Sequence, residues 1–159
     1  MHPELERRVR AELPRLRLFW AAMLAASLAC AGLGVLASPV SSPLGEASAP
    51  PAAVAAAALG LVSAAAVLLL DRAILAPGQV AARVPIPDPG LALRYLLAGH
   101  LALWSLAALP AILGLAHLLL GGPLRTSLAL CAVSLGIFAL LAPTRTRIAT
   151  RLAAVVRRP

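Results

Sequence analysis

Four stretches of this chain contain no acidic or basic side chain apart from histidine, at residues 18–37, 47–70, 95–124 and 126–144. An apolar helix needs about 20 residues to cross a hydrocarbon core roughly 30 Å thick, so each stretch is long enough to span. The backbone groups of such a segment are satisfied in lipid only within a helix or a closed barrel. Unbroken Ala/Leu runs without period-2 alternation exclude the barrel. The expected fold class is therefore all-α, a four-transmembrane-helix bundle with spans near 18–37, 50–70, 95–120 and 124–143. Four crossings with short connections account for nearly all 159 residues, so the chain reads as a single integral membrane domain over 1–159.

The connections carry helix-breaking punctuation. Pro39, Pro43, Pro50 and Pro51 separate the first two spans, and Val84-Pro85-Ile86-Pro87-Asp88-Pro89-Gly90 lies between the second and third. The stretch from Asp71 to Arg94 reads as the longest connection, an extended and proline-stiffened loop. Gly121-Gly122-Pro123 leaves so little chain that the last two helices must form an antiparallel hairpin.

Arginine placement sets the expected direction, because basic residues in short loops stay on the cytoplasmic side. All 14 basic residues are arginine. Thirteen precede the first span, follow the fourth, or lie between the second and third; Arg125 alone falls opposite. Both termini are thus expected in the cytoplasm. The Ala, Leu and Arg excess fits a GC-rich bacterial genome, which points to a bacterial cytoplasmic (inner) membrane. The net charge of +8 is read as this orientation signal and not as a nucleic-acid surface, since aromatic residues for base stacking are only 3% of the chain. A cleavable signal ending near Ala37-Ser38-Pro39 is disfavoured by the length of the first apolar run and by Glu4, Glu6 and Glu12 before it.

Both tails, 4–17 and 144–158, have an amphipathic pattern. Leu5, Val9, Leu13 and Leu16 form one stripe, with Glu4/Arg8 and Glu6/Arg10 at i, i+4 spacing. In the second tail Ile148, Leu152 and Val155 share a face, while Arg147, Arg151 and Arg158 gather on another. Such segments anchor helix ends in the headgroup layer, or present a docking face to a cytoplasmic partner.

Sites for chemistry are sparse. None of the six acids falls inside a span, which disfavours carboxylate-driven transport. Asp71 comes nearest, beside Arg72, and is expected to be solvated or paired at the membrane surface. His100 and His117 are the candidate polar membrane positions. A rise of about 25 Å separates them, so they cannot share one metal or one haem, and interhelical hydrogen bonding or interfacial placement is expected. No metal site, cofactor or catalytic residue is expected. Ser63, Ser105 and Ser134 have no acid partner within the membrane, and serine in such helices ordinarily bonds backbone carbonyls. Cys30 and Cys131 would lie at similar depth if the first and fourth spans are neighbours; they are read as small apolar side chains, a disulfide being the minor alternative.

Pro110 interrupts the hydrogen bonding of the third span and invites a kink. Around it Ser105, Ala107, Ala108, Ala111 and Gly114 form a small-residue face, matched on the second span by Ala56, Gly60 and Ala64 at four-residue intervals. Ala108, Pro110, Ala111, Gly114 and Gly60 are accordingly the candidate packing or kink positions.

The stretch from Trp104 to Gly122, WSLAALPAILGLAHLLLGG, resembles a motif of rotary-ATPase proteolipid (c or K type) subunits, in which an outer hairpin helix reads approximately A-L-x-E-A-x-A-I-x-G-L. It is also similar to a group of four-span bacterial membrane proteins with a related third-helix motif. Leu106, Ala111, Ile112, Gly114 and Leu115 fall on the pattern, and the ion-binding glutamate is replaced by Ala108. The resemblance implies a close-packed hairpin without the carboxylate that ion translocation requires. The resulting expectation is a non-enzymatic accessory, assembly or packing component, in contact with lipid and part of a homo-oligomer or a larger membrane complex. The alternative is a small transporter or channel-like protein descended from a proteolipid-type hairpin.

Overall fold

The computed structural model describes residues 3–37, 49–84 and 88–156, and among these the regular secondary structure is all helix, without a strand. The elements are α1 (Pro3–Ala37), α2 (Ala49–Leu75), α3 (Pro77–Arg83), α4 (Pro89–Leu119), α5 (Leu124–Leu140) and α6 (Arg145–Val156). Pro39, Pro43, Glu46, Pro85, Pro87, Arg157 and Arg158 lie outside the described residues, as do the side chains of Glu4, Leu5, Arg8 and Val155.

Two boundaries differ from the sequence expectation. The first tail and the first span form one continuous helix, α1, which runs through Pro14 without a break. The long connection is not an extended loop. The helix α2 persists four residues beyond Asp71, to Leu75, and α3 then begins directly on Pro77. Proline at the first helical position has its φ preset for the helix and lacks only an N–H that would have gone unpaired there. The short helix is held by its apolar side: Val80, Ala81 and Val84 are buried. At the next start, Asp88 caps α4 by accepting from the Gly90 N–H at 2.8 Å.

The helix α4 is the hub, packing against α5, α2 and α1, and unbroken through Pro110. Its small residues explain its position: Ala107 and Ala111 are fully buried and let neighbouring backbones come close. At Gly114 a Cβ atom would lie 2.9 Å from the Ser127 carbonyl oxygen, so glycine permits the α4–α5 approach there. The turn between these helices passes through Gly121, whose φ of 85° suits glycine. The outer faces of α1 and α2 are strongly apolar yet exposed, with Leu18, Leu36, Leu61 and Leu69 each more than 60% accessible. Exposed apolar surface of that extent marks a face that meets lipid or another protein.

At one end of the bundle α3 and α6 close over the helix ends. Val9, Leu13 and Leu16 from α1, Val80 from α3 and Val84 just after it, and Ile148 and Leu152 from α6 belong to one apolar cluster. Val9, Leu13 and Leu16 of the first tail and Ile148 and Leu152 of the second are therefore covered by protein.

Candidate functional site

The helix α5 ends at Leu140, and α6 departs at 57° to it. The last carbonyls of a helix have no intrahelical donors and must find others when buried. Here three other helices supply them. The Trp20 indole of α1 donates to the Phe138 carbonyl at 3.0 Å, the Trp104 indole of α4 to Leu141 at 3.4 Å, and the Arg147 guanidinium of α6 to Leu140 at 2.5 Å. The bend itself is capped by Thr144, whose hydroxyl accepts from the Arg147 N–H at 3.3 Å.

This geometry carries Arg151 under the cap, where it is only 6% exposed. Its Nη2 donates to both oxygens of Asp71, at 2.8 and 3.0 Å, a charge-assisted contact in which one nitrogen is shared between the two carboxylate oxygens. Arg147 approaches the same carboxylate at 3.6 Å. The other arm of Arg151 reaches His100 Nε2 at 3.2 Å, while His100 Nδ1 lies 2.7 Å from the Leu96 carbonyl. Because a carbonyl can only accept, Nδ1 carries the proton and Nε2 is left as the acceptor for arginine. The His100 ring also packs on Trp104, centroid to centroid 5.4 Å. Burial lowers the Arg151 pKa from its ordinary value, and the hydrogen bonds and charge of Asp71 oppose that shift. Close approach at Gly99, where a Cβ would meet the Leu75 side chain at 2.5 Å, brings the end of α2 against α4 next to this node.

Asp71 is thus paired, but with Arg151 and Arg147 from far along the chain, while Arg72 is exposed. Sequence reasoning missed Arg151 by assigning it to the solvated side of the tail. The signal was present: at about 100° per residue Arg151 lies only about 60° from Ile148, within reach of the apolar face. An ion pair between Arg145 and Glu6 ties α6 to α1 at the same end.

The second histidine has a different setting. His117 is 6% exposed near the α4–α5 turn, and its Nε2 has no partner among the described residues; nor does the buried Ser127 hydroxyl. Gly122 abuts the ring so closely that a Cβ there would lie 2.2 Å from Nε2. The packing positions named from sequence lie at helix interfaces. Ala108, Pro110, Ala111 and Gly114 are buried on α4, and Gly60 on α2 faces the Leu130 side chain, with Pro110 beyond it. Ser63 and Ser105 donate to carbonyls of their own helices. Ser134 donates across to the Ala107 carbonyl of α4 at 2.6 Å. Cys30 and Cys131 are both free thiols. Among the described residues no three His, Cys, Asp or Glu side chains are grouped to hold a metal ion.

The fold is that of an all-helical chain carrying helices of membrane-spanning length and apolarity. Among the described residues three helices are long and apolar enough to cross a bilayer, or four if the bent α5–α6 pair counts as one span. Comparison with protein-family models, curated proteins and solved structures returned no match.

Proposed function

We propose that the chain is a non-enzymatic, four-span protein of a bacterial cytoplasmic membrane, with both termini in the cytoplasm, acting as an accessory, assembly or packing component within a homo-oligomer or larger complex. One observation carries the reading. The partnered buried polar side chains serve to hold helices: the Arg151–Asp71–His100 node and Ser134 to Ala107 between helices, and Ser27 to its own backbone. On the orientation, the arginine-rich segments of α1 and α6 meet at one end of the bundle, where α3 adds Arg83, while Arg125 lies in the first turn of α5 at the other. The 17 residues of α5 fall at the short limit for a span, about 17 residues, and its apolar flanks extend it.

On this reading the proteolipid-like stretch of α4 is a packing device, with Ala108 buried where the related helices carry their glutamate. Solubilisation in mild detergent followed by co-purification tests the proposal: stable self-association or a retained partner is expected, and a strictly monomeric, partner-free chain would sink it. A periplasm-dependent phosphatase fused after Pro159 should be inactive, and one inserted near residue 45 active.

A transporter or channel descended from the same hairpin is the second reading, favoured by one observation, that the buried atoms His117 Nε2 and Ser127 Oγ have no partner among the described residues. Unpaired buried polar atoms are costly and mark places where water or a solute enters. Liposomes containing the chain that show no flux of protons, metal cations or small solutes would eliminate it.

A further inference from the structure

A groove of about 440 Å³ runs between the N-terminal third of α1 and the first turns of α4, at the arginine-rich end of the bundle. Glu12 and Arg15 line it from α1, and Leu93, Arg94 and Leu97 from α4. We infer that this groove binds the phosphate of an anionic phospholipid, with an acyl chain descending along Leu97.

Charge is the first argument. Two guanidiniums face one carboxylate, and Arg15 already bridges both Glu12 oxygens at 3.3 Å. Arg94 is exposed and makes no ion pair among the described residues. The groove therefore retains one uncompensated positive charge, which the single negative charge of a phosphodiester neutralises. Asp88 keeps its charge while accepting from the Gly90 N–H, but it lines the neighbouring hollow and not this groove, and it is not within ion-pair distance of Arg94. A second hollow of about 310 Å³ flanks Arg94 on the side of Asp88 and Leu91, so its guanidinium has room to turn toward a ligand.

Depth is the second argument. Arg15 lies three residues before the apolar stretch that starts at Leu18, and Arg94 one residue before the stretch that starts at Tyr95. Both forks thus sit at the boundary where lipid phosphates lie, and the wall toward the apolar side is leucine. Forked guanidiniums match phosphate oxygens, and basic pockets between helices at the cytoplasmic surface have this ligand chemistry. The inference needs only that the chain sits in a bilayer with this end at its surface, and not the assembly role proposed above.

The test is native mass spectrometry of the full chain released from nanodiscs holding equal amounts of dioleoylphosphatidylglycerol and dioleoylphosphatidylcholine. Preferential retention of phosphatidylglycerol is expected, falling roughly tenfold in Arg15→Gln/Arg94→Gln. Arg72→Gln/Arg83→Gln removes the same charge from exposed positions and should leave retention unchanged. Glu12→Gln, which removes the competing carboxylate, should raise it. Equal retention of the two lipids, no loss in the Arg15/Arg94 variant, or an equal loss in the Arg72/Arg83 variant would overturn the site. Displacement by glycerol 3-phosphate at the same concentration would overturn the lipid as its occupant. Failure to enter nanodiscs at all would overturn the membrane reading instead.

Discussion

His100 and His117 belong to the same helix and are both buried, yet they lie in opposite circumstances. The first has each ring nitrogen engaged, one on the Leu96 carbonyl and one on Arg151. The second has a buried Nε2 without a partner among the described residues and a glycine pressed against its ring. The two ends of the bundle differ in the same way. At the His100 end, helices from distant parts of the chain are joined by charge and by donors to the last carbonyls of α5. At the His117 end, α4 and α5 are joined by a tight turn and by backbone contact at Gly114. A buried polar group adds to stability only where a partner meets it, so equal burial of two histidines does not give them equal worth.

The largest expected effect is at the charged end. Asp71→Ala leaves Arg151 buried without its counter-charge and should destabilise the fold by about 3 to 5 kcal/mol, measured by reversible denaturation in detergent. Asp71→Leu combined with Arg151→Leu should recover most of that loss, because no buried charge remains. A small effect of the single variant would break the comparison, since charge would then not be holding this end.

Replacing His100 by leucine removes the acceptor for one arm of Arg151. A cost of about 1 to 3 kcal/mol is expected in the same denaturation assay. In the Asp71→Leu/Arg151→Leu background the cost should shrink, and a double-mutant cycle reads that coupling directly.

Gly114→Ala probes the opposite end. The added Cβ would meet a backbone oxygen at 2.9 Å, which cannot swing aside, so α4 and α5 must separate. A loss of about 1 to 3 kcal/mol is expected, with increased susceptibility of the turn to proteolysis. A neutral outcome would mean that the hairpin is held elsewhere.

The smallest effect is expected at the second histidine. His117→Leu removes an unpartnered polar atom and should be neutral or stabilising by up to about 1 kcal/mol. A large loss of stability would show that Nε2 has a partner after all, and would erase the contrast with His100.

The hairpin of α4 and α5 could be read from Gly121-Gly122-Pro123, because so short a connection allows no other arrangement. Helix formation followed from apolar runs without alternation. The small-residue pattern pointed to Gly60, Ala108, Ala111 and Gly114, and all four lie buried at helix contacts. The node was only half legible. His100 and Asp71 could be singled out because each is an unusual polar residue in or beside an apolar run. Arg151 could not be assigned to them, since Asp71 and Arg151 are 80 residues apart and Arg72 is the nearer candidate in the chain. The two tryptophans carried no readable signal, because capping α5 depends on which carbonyls the bend leaves free.

By itself the sequence determined that this chain is helical and apolar enough for a bilayer, since hydropathy and backbone hydrogen bonding are local properties that each segment states alone. It also determined which end of the chain's helices collects positive charge. Only the tertiary structure decided which of those charges became buried. A guanidinium is tolerated out of solvent only where a carboxylate and an acceptor converge on it, and among the described residues that convergence exists for Arg151 alone once α2, α4 and α6 have met. The same assembly decided the fate of the two histidines: one was given partners by a helix arriving from the far end of the chain, and the other was left with the turn beside it.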